Sequence, residues 1–339
     1  MMKKTNMKTW MREVLEGGPR LAVPIMTHPG IELCGYSVRD AVTDGRKHAD
    51  AILALNRKYP ADACTVIMDL TVEAEAFGAK IAFPDDEVPS VTEPLVHNLA
   101  EIEALEVPGT DTARVPEYIL ANRTVASQIE DKPLFAGCIG PFSLAGRLYG
   151  MTELMMAIFT EPDTVKALLR KCTDFLLKYC RALKDAGTDG VIMAEPAAGL
   201  ISNEDCSLYS SVYVKEIVQA VQDDSFLVIL HNCGDTGHCT AAMTETGAAG
   251  YHFGNQADML TELAVCPADA LVMGNLDPVG IFRQASSDEV YKVASELLEA
   301  TAGYPNFIIS SGCDVPPGIP QPNIEAFYKA VHDFNSKIS

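Results

Sequence analysis

Short apolar runs alternate with helical segments along the whole chain, and this alternation constrains the fold more than any other feature. Eight runs lack the polar alternation of a half-exposed strand, which is typical of strands buried on both faces. They cover residues 23–26, 64–70, 134–139, 190–194, 226–230, 249–253, 271–274 and 306–310. Strand followed by helix, repeated about eight times, predicts an α/β fold of the (β/α)8 TIM-barrel type. A doubly wound open sheet is the alternative, because the strand count holds only to within one or two.

One connection between predicted strands is unusually long. Residues 71–132 separate the second and third strands and contain five prolines. A structureless loop of that length would be unusual, so we expect one or two helices there and a position over the barrel mouth. The 339 residues, 48% of them hydrophobic, can bury a large core. We therefore predict a single barrel domain over residues 1–339, with residues 1–22 as an N-terminal helical extension and an elongated connection between strands 2 and 3.

The charge balance narrows the function classes. The chain has 26 basic and 46 acidic residues, a formal net charge of −20. This composition argues against a nucleic-acid partner and against electrostatic docking on an anionic membrane. The first residues, 1–18, lack the apolar core of a signal peptide, and no run approaches the ~18 apolar residues of a membrane span. The ten cysteines are scattered and are expected to be reduced. We predict a cytoplasmic protein.

Polar residues follow the predicted strands, where active residues of (β/α)8 barrels lie. The candidates for substrate contacts in such positions are Asp69, Glu195, Asn255, Asn275 and Asp277. Loops are polar in any case, so a structural role for Asp69 and Glu195 is an equally good interpretation. His28, His97 and His252 are also placed where they could reach a barrel mouth.

His231, Cys233 and Cys313 form the most informative constellation. His231 and Cys233 are one residue apart at the end of an apolar run, so they face the same side of an extended segment. Cys313 follows another apolar run in an equivalent context. One imidazole and two thiolates suit zinc, and three protein ligands leave a fourth position for substrate. Core packing remains an alternative for each, because buried cysteines and histidines are often structural. His238 and Cys239 are close enough in sequence to be alternative ligands, although the start of the next helix is the favoured explanation for them.

With these three residues the sequence resembles the methylcobamide:coenzyme M methyltransferases of the uroporphyrinogen decarboxylase superfamily. The resemblance spans nearly the whole chain. It is carried further by residues 71–78, 139–143, 273–278, 311–317 and 322–324. Decarboxylases of this superfamily have an Arg-Gln-Ala-Gly-Arg stretch after the first strand, whose arginines hold the substrate carboxylates. The corresponding residues 26–32 contain no arginine. Because a tetrapyrrole with eight carboxylates needs cationic partners, this departure argues against porphyrinogen decarboxylation.

The resemblance implies a (β/α)8 barrel and a zinc ion held by His231, Cys233 and Cys313. Zinc would bind an acceptor thiol as thiolate, which attacks the methyl group of a methylcorrinoid. The corrinoid would be carried by a separate protein, since the chain has no Asp-x-His-x-x-Gly cobalamin-binding motif. The acceptor implied is coenzyme M, with homocysteine, another thiol or a folate still open. Arg147 is a candidate contact for its sulfonate, or simply a surface arginine. Asp235 is a candidate for holding His231 or the bound thiol in place from outside the ligand set. Glu195 is a candidate fourth ligand when no substrate is bound.

Two other function classes remain possible from sequence. A lyase acting on a smaller carboxylated substrate would use Asp69 or Glu195 for proton transfer and would need no metal. A non-catalytic zinc-binding or corrinoid-protein-binding module would retain zinc and bind its partner without transferring a methyl group. Metal content and an assay with methylcobalamin separate all three classes.

Overall fold

Seven parallel strands form the central sheet of the computed structural model, which describes residues 6–338. These strands are β1 (Cys64–Thr65), β4 (Leu134–Ile139), β5 (Gly190–Ala194), β6 (Leu227–Asn232), β7 (Gly250–Phe253), β8 (Leu271–Leu276) and β9 (Phe307–Ser311). Two short strands, β2 (Ile81–Ala82) and β3 (Ser90–Val91), form a separate antiparallel pair. The order in the main sheet is β1-β4-β5-β6-β7-β8-β9, which follows the chain without reversal. A doubly wound sheet reverses its order at a switch point, so that alternative does not fit.

Helices follow or separate the strands throughout residues 6–338. Their bounds are α1 (Met7–Leu15), α2 (His28–Cys34), α3 (Val38–Thr43), α4 (Gly45–Lys58), α5 (Val72–Ala76), α6 (Leu99–Ala104), α7 (Val115–Ala126), α8 (Pro141–Tyr149), α9 (Met151–Thr160), α10 (Pro162–Asp185), α11 (Asn203–Cys206), α12 (Val212–Val221), α13 (Thr240–Thr244), α14 (Met259–Val265), α15 (Ser287–Ala300) and α16 (Gln321–Ile338). A 3-10 turn (Pro196–Leu200) and a π-helical turn (Ser207–Ser211) lie between β5 and α12. None of the helices in this range is both long and apolar enough to cross a bilayer.

The first predicted strand, 23–26, is an extended segment rather than a regular strand. Ala22 makes an isolated parallel bridge to Ile309 of β9, and the Val23 amide donates to the Ile309 carbonyl at 3.0 Å. On the other side the Asp62 amide donates to the Ala22 carbonyl at 3.0 Å. Pro24 has no N–H to continue a ladder. The segment therefore lies between β9 and the start of β1 without forming a strand of its own.

Several strand boundaries differ from those predicted. The run 64–70 is a strand only at β1, because Asp69 turns to accept hydrogen bonds from the amide and hydroxyl of Thr71 at 3.0 and 2.6 Å. By contrast, β6 continues two residues beyond the predicted end at 230. His231 is therefore inside the strand, and its backbone is fixed by the sheet.

The long connection 71–132 is more structured than expected. It contains three helices, α5, α6 and α7, together with the β2–β3 hairpin, where one or two helices were predicted. Asp86, Glu87 and Val88 in the hairpin loop line the cavity at the carboxyl ends of the strands.

The amino ends of the strands are closed by helix α1. Met7 is fully buried there, and the Trp10 ring lies 6.1 Å from the ring of Phe135 on β4. These side chains join one apolar cluster with the strand residues Ile192, Ile229, Leu271, Met273 and Ile308. Residues 1–5 of the predicted N-terminal extension lie outside the described range. The filled interior leaves the opposite, carboxyl end as the place for a site.

Candidate metal centre

Three potential metal ligands converge at the carboxyl ends of β6 and β9. His231 is the penultimate residue of β6, Cys233 follows that strand, and Cys313 follows β9. One ligand atom from each lies within 4.8 Å of the other two. Across residues 6–338 no other group of three histidine, cysteine or acidic side chains is so arranged. His238 and Cys239 are outside this group.

The His231 ring has one nitrogen available for a metal. Its Nδ1 lies 2.8 Å from Nδ1 of His252, and His252 Nε2 lies 2.8 Å from the hydroxyl of Ser310. Ser310 donates in turn to the carbonyl oxygen of Val23 at 2.8 Å. Because a carbonyl only accepts, Ser310 accepts from His252, and His252 accepts from the Nδ1–H of His231. Nε2 of His231 then carries a lone pair, and it is buried without a hydrogen-bond partner.

Burial supports the same proton arrangement. It lowers the pKa of His252 well below its usual value, and the neighbouring His231 lowers it further. The His252 ring therefore stays neutral and keeps an acceptor nitrogen towards His231. A ring held in this way by an outer hydrogen bond is the usual arrangement of a metal-binding histidine.

The two cysteines share a negative charge. The pKa of Cys233 is lowered to about 4, because the Cys313 thiol donates to its sulfur and His231 lies beside it. The pKa of Cys313 is raised because it is the donor in that bond, in a buried position next to the Cys233 charge. One thiolate is thus favoured and a second is opposed. A divalent cation would offset the second charge, and two thiolates with one imidazole match zinc.

The three side chains face a cavity of about 720 Å³ at the carboxyl ends of the strands. Its wall consists of Ile25, His28, Met68, Leu70, Asp86, Glu87, Val88, Ala194, Pro196, His231, Cys233, Arg283, Cys313, Asp314, Pro316, Pro317 and Gly318. The donor set therefore fits a metal held by three protein ligands, beside a cavity that would admit a substrate as the fourth.

His28 is a further polar group on this wall. Its Nδ1 lies 2.8 Å from the Val315 carbonyl and 3.8 Å from the Asp314 carboxylate. Burial lowers the pKa of His28, but the Asp314 charge and hydrogen bonds outweigh burial, so the pKa is raised overall. Its Nε2 is buried without a partner. Of the other two histidines considered from sequence, His252 supports His231, and His97 is exposed and bonded to Glu101.

Glu195 is occupied elsewhere. Its carboxylate accepts hydrogen bonds from the amides of Phe142 and Ser143 at 3.0 and 2.6 Å, at the start of α8, and from the Ser210 hydroxyl at 3.0 Å. Burial raises its pKa. Glu195 is not part of the three-residue ligand group, so its geometry gives no support to a role as fourth ligand. A charged side chain at a helix N-terminus explains its position.

Asp69 is also held in a buried network. Its carboxylate accepts from Arg114 at 2.6 Å and from the Tyr118 hydroxyl at 3.0 Å. The neighbours Met68 and Leu70 line the cavity, whereas Asp69 does not. The network joins β1 to α7.

Two further candidates stabilise loops, and a third is exposed. Asn275 donates to the carbonyls of Gly254 and Ala257 at 2.9 and 2.7 Å. Asp277 accepts from the amides of the turn that follows it. Asn255 is exposed near the strand ends and, like the other two, is absent from the cavity wall.

The arginine on the wall is Arg283, which the sequence analysis missed. Arg147 lies in α8 and is not among the wall residues. Arg283 is exposed and lies in the segment that follows β8, beyond Asp277. The available signal was its place in a loop after a strand, where polar residues were sought only within a few positions of the strand end.

A parallel sheet flanked by helices, with a histidine and two cysteines at its carboxyl end, defines an α/β protein with a candidate metal centre. The chain belongs to the uroporphyrinogen decarboxylase (URO-D) family, whose model matches residues 19–334. It is 29% identical over 308 residues to the methylcobamide:CoM methyltransferase MtbA of Methanosarcina mazei, covering 90% of this chain and 89% of the relative. It is 26% identical to a uroporphyrinogen decarboxylase of Koribacter versatilis, over 82% of this chain and 80% of that relative. These matches confirm the predicted superfamily and branch.

Solved structures agree on the fold. A methyltransferase from Methanosarcina mazei superposes with a TM-score of 0.87 at 22% identity, covering 98% of this chain and 99% of the other. A B12-independent methionine synthase from Shewanella sp. W3-18-1 gives a TM-score of 0.62 at 12% identity, covering 96% and 98%. At these identities the likeness concerns the fold alone.

Proposed function

We propose that this protein is a zinc-dependent corrinoid methyltransferase that transfers a methyl group from a protein-bound methylcorrinoid to a thiol acceptor such as coenzyme M. The observation that carries the proposal is the convergence of His231, Cys233 and Cys313 on one accessible cavity. The name of the Methanosarcina relatives, methylcobamide:CoM methyltransferase, supports the same reaction. We further regard the segment around Val23 as closing the sheet into an eight-position barrel.

Some residues of the centre would bind the metal, and others orient a ligand side chain. Zinc in this donor set would bind the acceptor sulfur as a thiolate and keep it nucleophilic, since the two cysteine thiolates cancel the metal charge. His252 and Ser310 fix the ring of His231 and leave its Nε2 without a hydrogen-bond partner, as a metal ligand requires. The thiolate ligands suit a reducing compartment such as the cytoplasm.

The transfer balances without any further reactant. The S–CH3 bond forms as the Co–CH3 bond breaks, and the electron pair of the broken bond stays on cobalt, which passes from Co(III) to Co(I). The thiol proton passes to solvent. The protein contributes alignment of the acceptor with the donor, which a partner protein presents at the carboxyl end of the sheet.

The two carboxylates that the lyase alternative would use for proton transfer do not line the cavity. Asp69 pairs with Arg114 and does not line the cavity, and Glu195 is bonded to the start of α8. The non-catalytic alternative differs from the proposed enzyme only in activity, so an assay must separate them.

Metal content by mass spectrometry is the first test. We expect about one zinc per chain in the wild type and almost none in Cys233→Ala. Cys34→Ala is the control, because Cys34 is half-buried and does not line the cavity. Zinc-loaded protein is then assayed with free methylcobalamin and several thiols. A wild type that stays metal-free after zinc is supplied would refute the proposal, and zinc without transfer to any thiol would favour a binding module.

A further inference from the structure

The cavity wall has charges of both signs. It presents three carboxylates, from Asp86, Glu87 and Asp314, and one guanidinium, from Arg283. Arg283 forms no ion pair or hydrogen bond with any residue between 6 and 338, so its charge is available to a bound molecule. A thiol whose other end is only a sulfonate would find one cation among three carboxylates. The wall therefore favours a molecule with a cationic and an anionic group.

His28 gives independent evidence that a polar molecule binds here. The residue is 3% exposed, and its Nε2 has no hydrogen-bond partner although it lies on the same wall. Leaving a buried ring nitrogen unpaired is unfavourable. A protonated ring would donate to a carboxylate, and a neutral ring would accept from an ammonium group. A molecule with both groups satisfies His28 in either state.

One short segment links these groups to the metal ligands. It begins at Cys313, continues through Asp314 beside His28, and reaches Gly318, where a Cβ would stand 3.9 Å from Arg283 Nε. Five residues span at most ~17 Å even when fully extended. The metal group, the carboxylate and the guanidinium thus border a single space.

We propose that the acceptor is an α-amino acid thiol, with its carboxylate on Arg283, its ammonium group on Asp314, and its sulfur directed to His231, Cys233 and Cys313. This inference rests on the proposed methyl transfer and narrows its acceptor. Asp86 and Glu87 add negative potential to the same wall, and His28 completes the polar contacts. The transfer step and its balance are unchanged.

Four thiols with the same three-carbon chain test the proposal. Homocysteine has both charged groups, 4-mercaptobutyrate has only the carboxylate, 3-aminopropanethiol has only the ammonium group, and propanethiol has neither. With zinc-loaded enzyme and free methylcobalamin, we expect kcat/KM to fall on the order of 10-fold for each group removed. Coenzyme M should react less efficiently than homocysteine.

Substitutions assign the two contacts. Arg283→Ala should lower kcat/KM for homocysteine and 4-mercaptobutyrate by the same factor and leave 3-aminopropanethiol and propanethiol unchanged. Asp314→Asn should affect homocysteine and 3-aminopropanethiol instead, with zinc content measured because Cys313 is adjacent. Arg147→Ala is the control, since Arg147 is not on the wall. Arg283→Lys should restore part of the loss.

The outcomes separate this inference from the proposed function. Equal efficiency with coenzyme M, 4-mercaptobutyrate and homocysteine would overturn the inference and leave thiol methylation standing. No transfer to any thiol by the zinc-loaded enzyme would overturn the proposed function. Binding of methionine, the expected product, can be measured by calorimetry without any methyl transfer. Binding that weakens on the order of 10-fold in Arg283→Ala supports the amino acid site, and binding that does not weaken contradicts it.

Discussion

The protein has two clusters of cysteine and histidine, one of His231, Cys233 and Cys313 and one of Cys206, His238 and Cys239, and only the first has the features of a metal site. In the first, His231, Cys233 and Cys313 face the cavity, and the ring of His231 keeps an unpartnered Nε2. In the second, Cys206 and Cys239 are fully buried. The two clusters have the same residue types, so residue identity and spacing alone do not distinguish them.

The polar side-chain atoms of the second cluster have hydrogen-bond partners within the protein. Cys239 donates to the Ile201 carbonyl at 3.3 Å, and His238 Nε2 lies 3.0 Å from the same oxygen. Cys206 lies 3.8 Å from the Ser211 hydroxyl. The pKa of Cys239 is lowered to about 7 because the Cys206 thiol donates to it, so a shared proton occurs here too. The comparison shows that an unpartnered acceptor nitrogen on a ring that lines the cavity, rather than a paired thiol, identifies the candidate centre.

Removing one cysteine from each cluster should have the largest effect. Cys313→Ala should reduce zinc from about one per chain to almost none and abolish methyl transfer, because two ligands rarely retain zinc. Cys239→Ala should keep both. Metal analysis and the methylcobalamin assay measure the difference. Zinc retained by Cys313→Ala, or lost by Cys239→Ala, would reverse the roles assigned to the two clusters.

Alkylation of the metal-free protein should separate the clusters next. A pKa of about 4 makes Cys233 a thiolate throughout the range from about pH 6 to 8, so its reaction rate with iodoacetamide should stay nearly constant there. An ordinary thiol is protonated below its pKa of ~8.5 and slows on the order of 100-fold over the same interval. Cys206 and Cys239 should not react, since both are buried. Peptide mass spectrometry gives the rates, and a tenfold change per pH unit at Cys233 would contradict the lowered pKa.

The support of His231 can be tested in the same way. His252→Ala removes the ring that accepts the Nδ1–H of His231 and should weaken zinc binding about 10- to 100-fold. His238→Ala is the matched change in the second cluster and should leave zinc affinity unaltered. Competition with a zinc chelator measures both affinities, with circular dichroism to verify folding. Equal affinities in the two variants would mean that the ring of His252 does not orient His231.

The smallest expected difference between the clusters is in the free energy of unfolding. Here the substitution in the second cluster should have the larger effect. Cys239→Ala leaves a cavity in a packed, fully buried position and should lower the free energy of unfolding by about 1–2 kcal/mol. Cys233→Ala, in metal-free protein, should cost less because Cys233 already borders the cavity. Urea denaturation of both variants measures this, and a larger loss in Cys233→Ala would show that Cys233 also has a packing role.

Local pattern was enough for most of the sheet and for the grouping of His231, Cys233 and Cys313. Apolar runs located the strands from residue 134 onwards to within two residues, since burial on both faces leaves a continuous signal. The exceptions depend on distant partners. Asp69 bends the chain towards Arg114, which lies 45 residues away, and this shortens the second predicted strand. Pro24 prevents a regular ladder in the first.

The remaining site residues depended on contacts that a single sequence does not reveal. Glu195 followed a strand as a catalytic residue would, but its partners Phe142 and Ser143 are more than 50 residues earlier. Arg283 reaches the cavity only because its segment folds back beside Gly318. Residue type at strand ends grouped the candidate ligands of β6 and β9, whereas wall residues from long loops require the folded chain.

The hydrogen bonds behind His231 also set the order in which the centre can form. They end at Val23, near the beginning of the chain, and pass through Ser310, which is followed closely by Cys313. A ribosome-bound chain that has not yet released β9 therefore lacks both a ligand and the support of the histidine ring. Uptake of zinc by the proposed centre should be a late step of biosynthesis, and metal loading would report that the segment around Val23 has packed against β9.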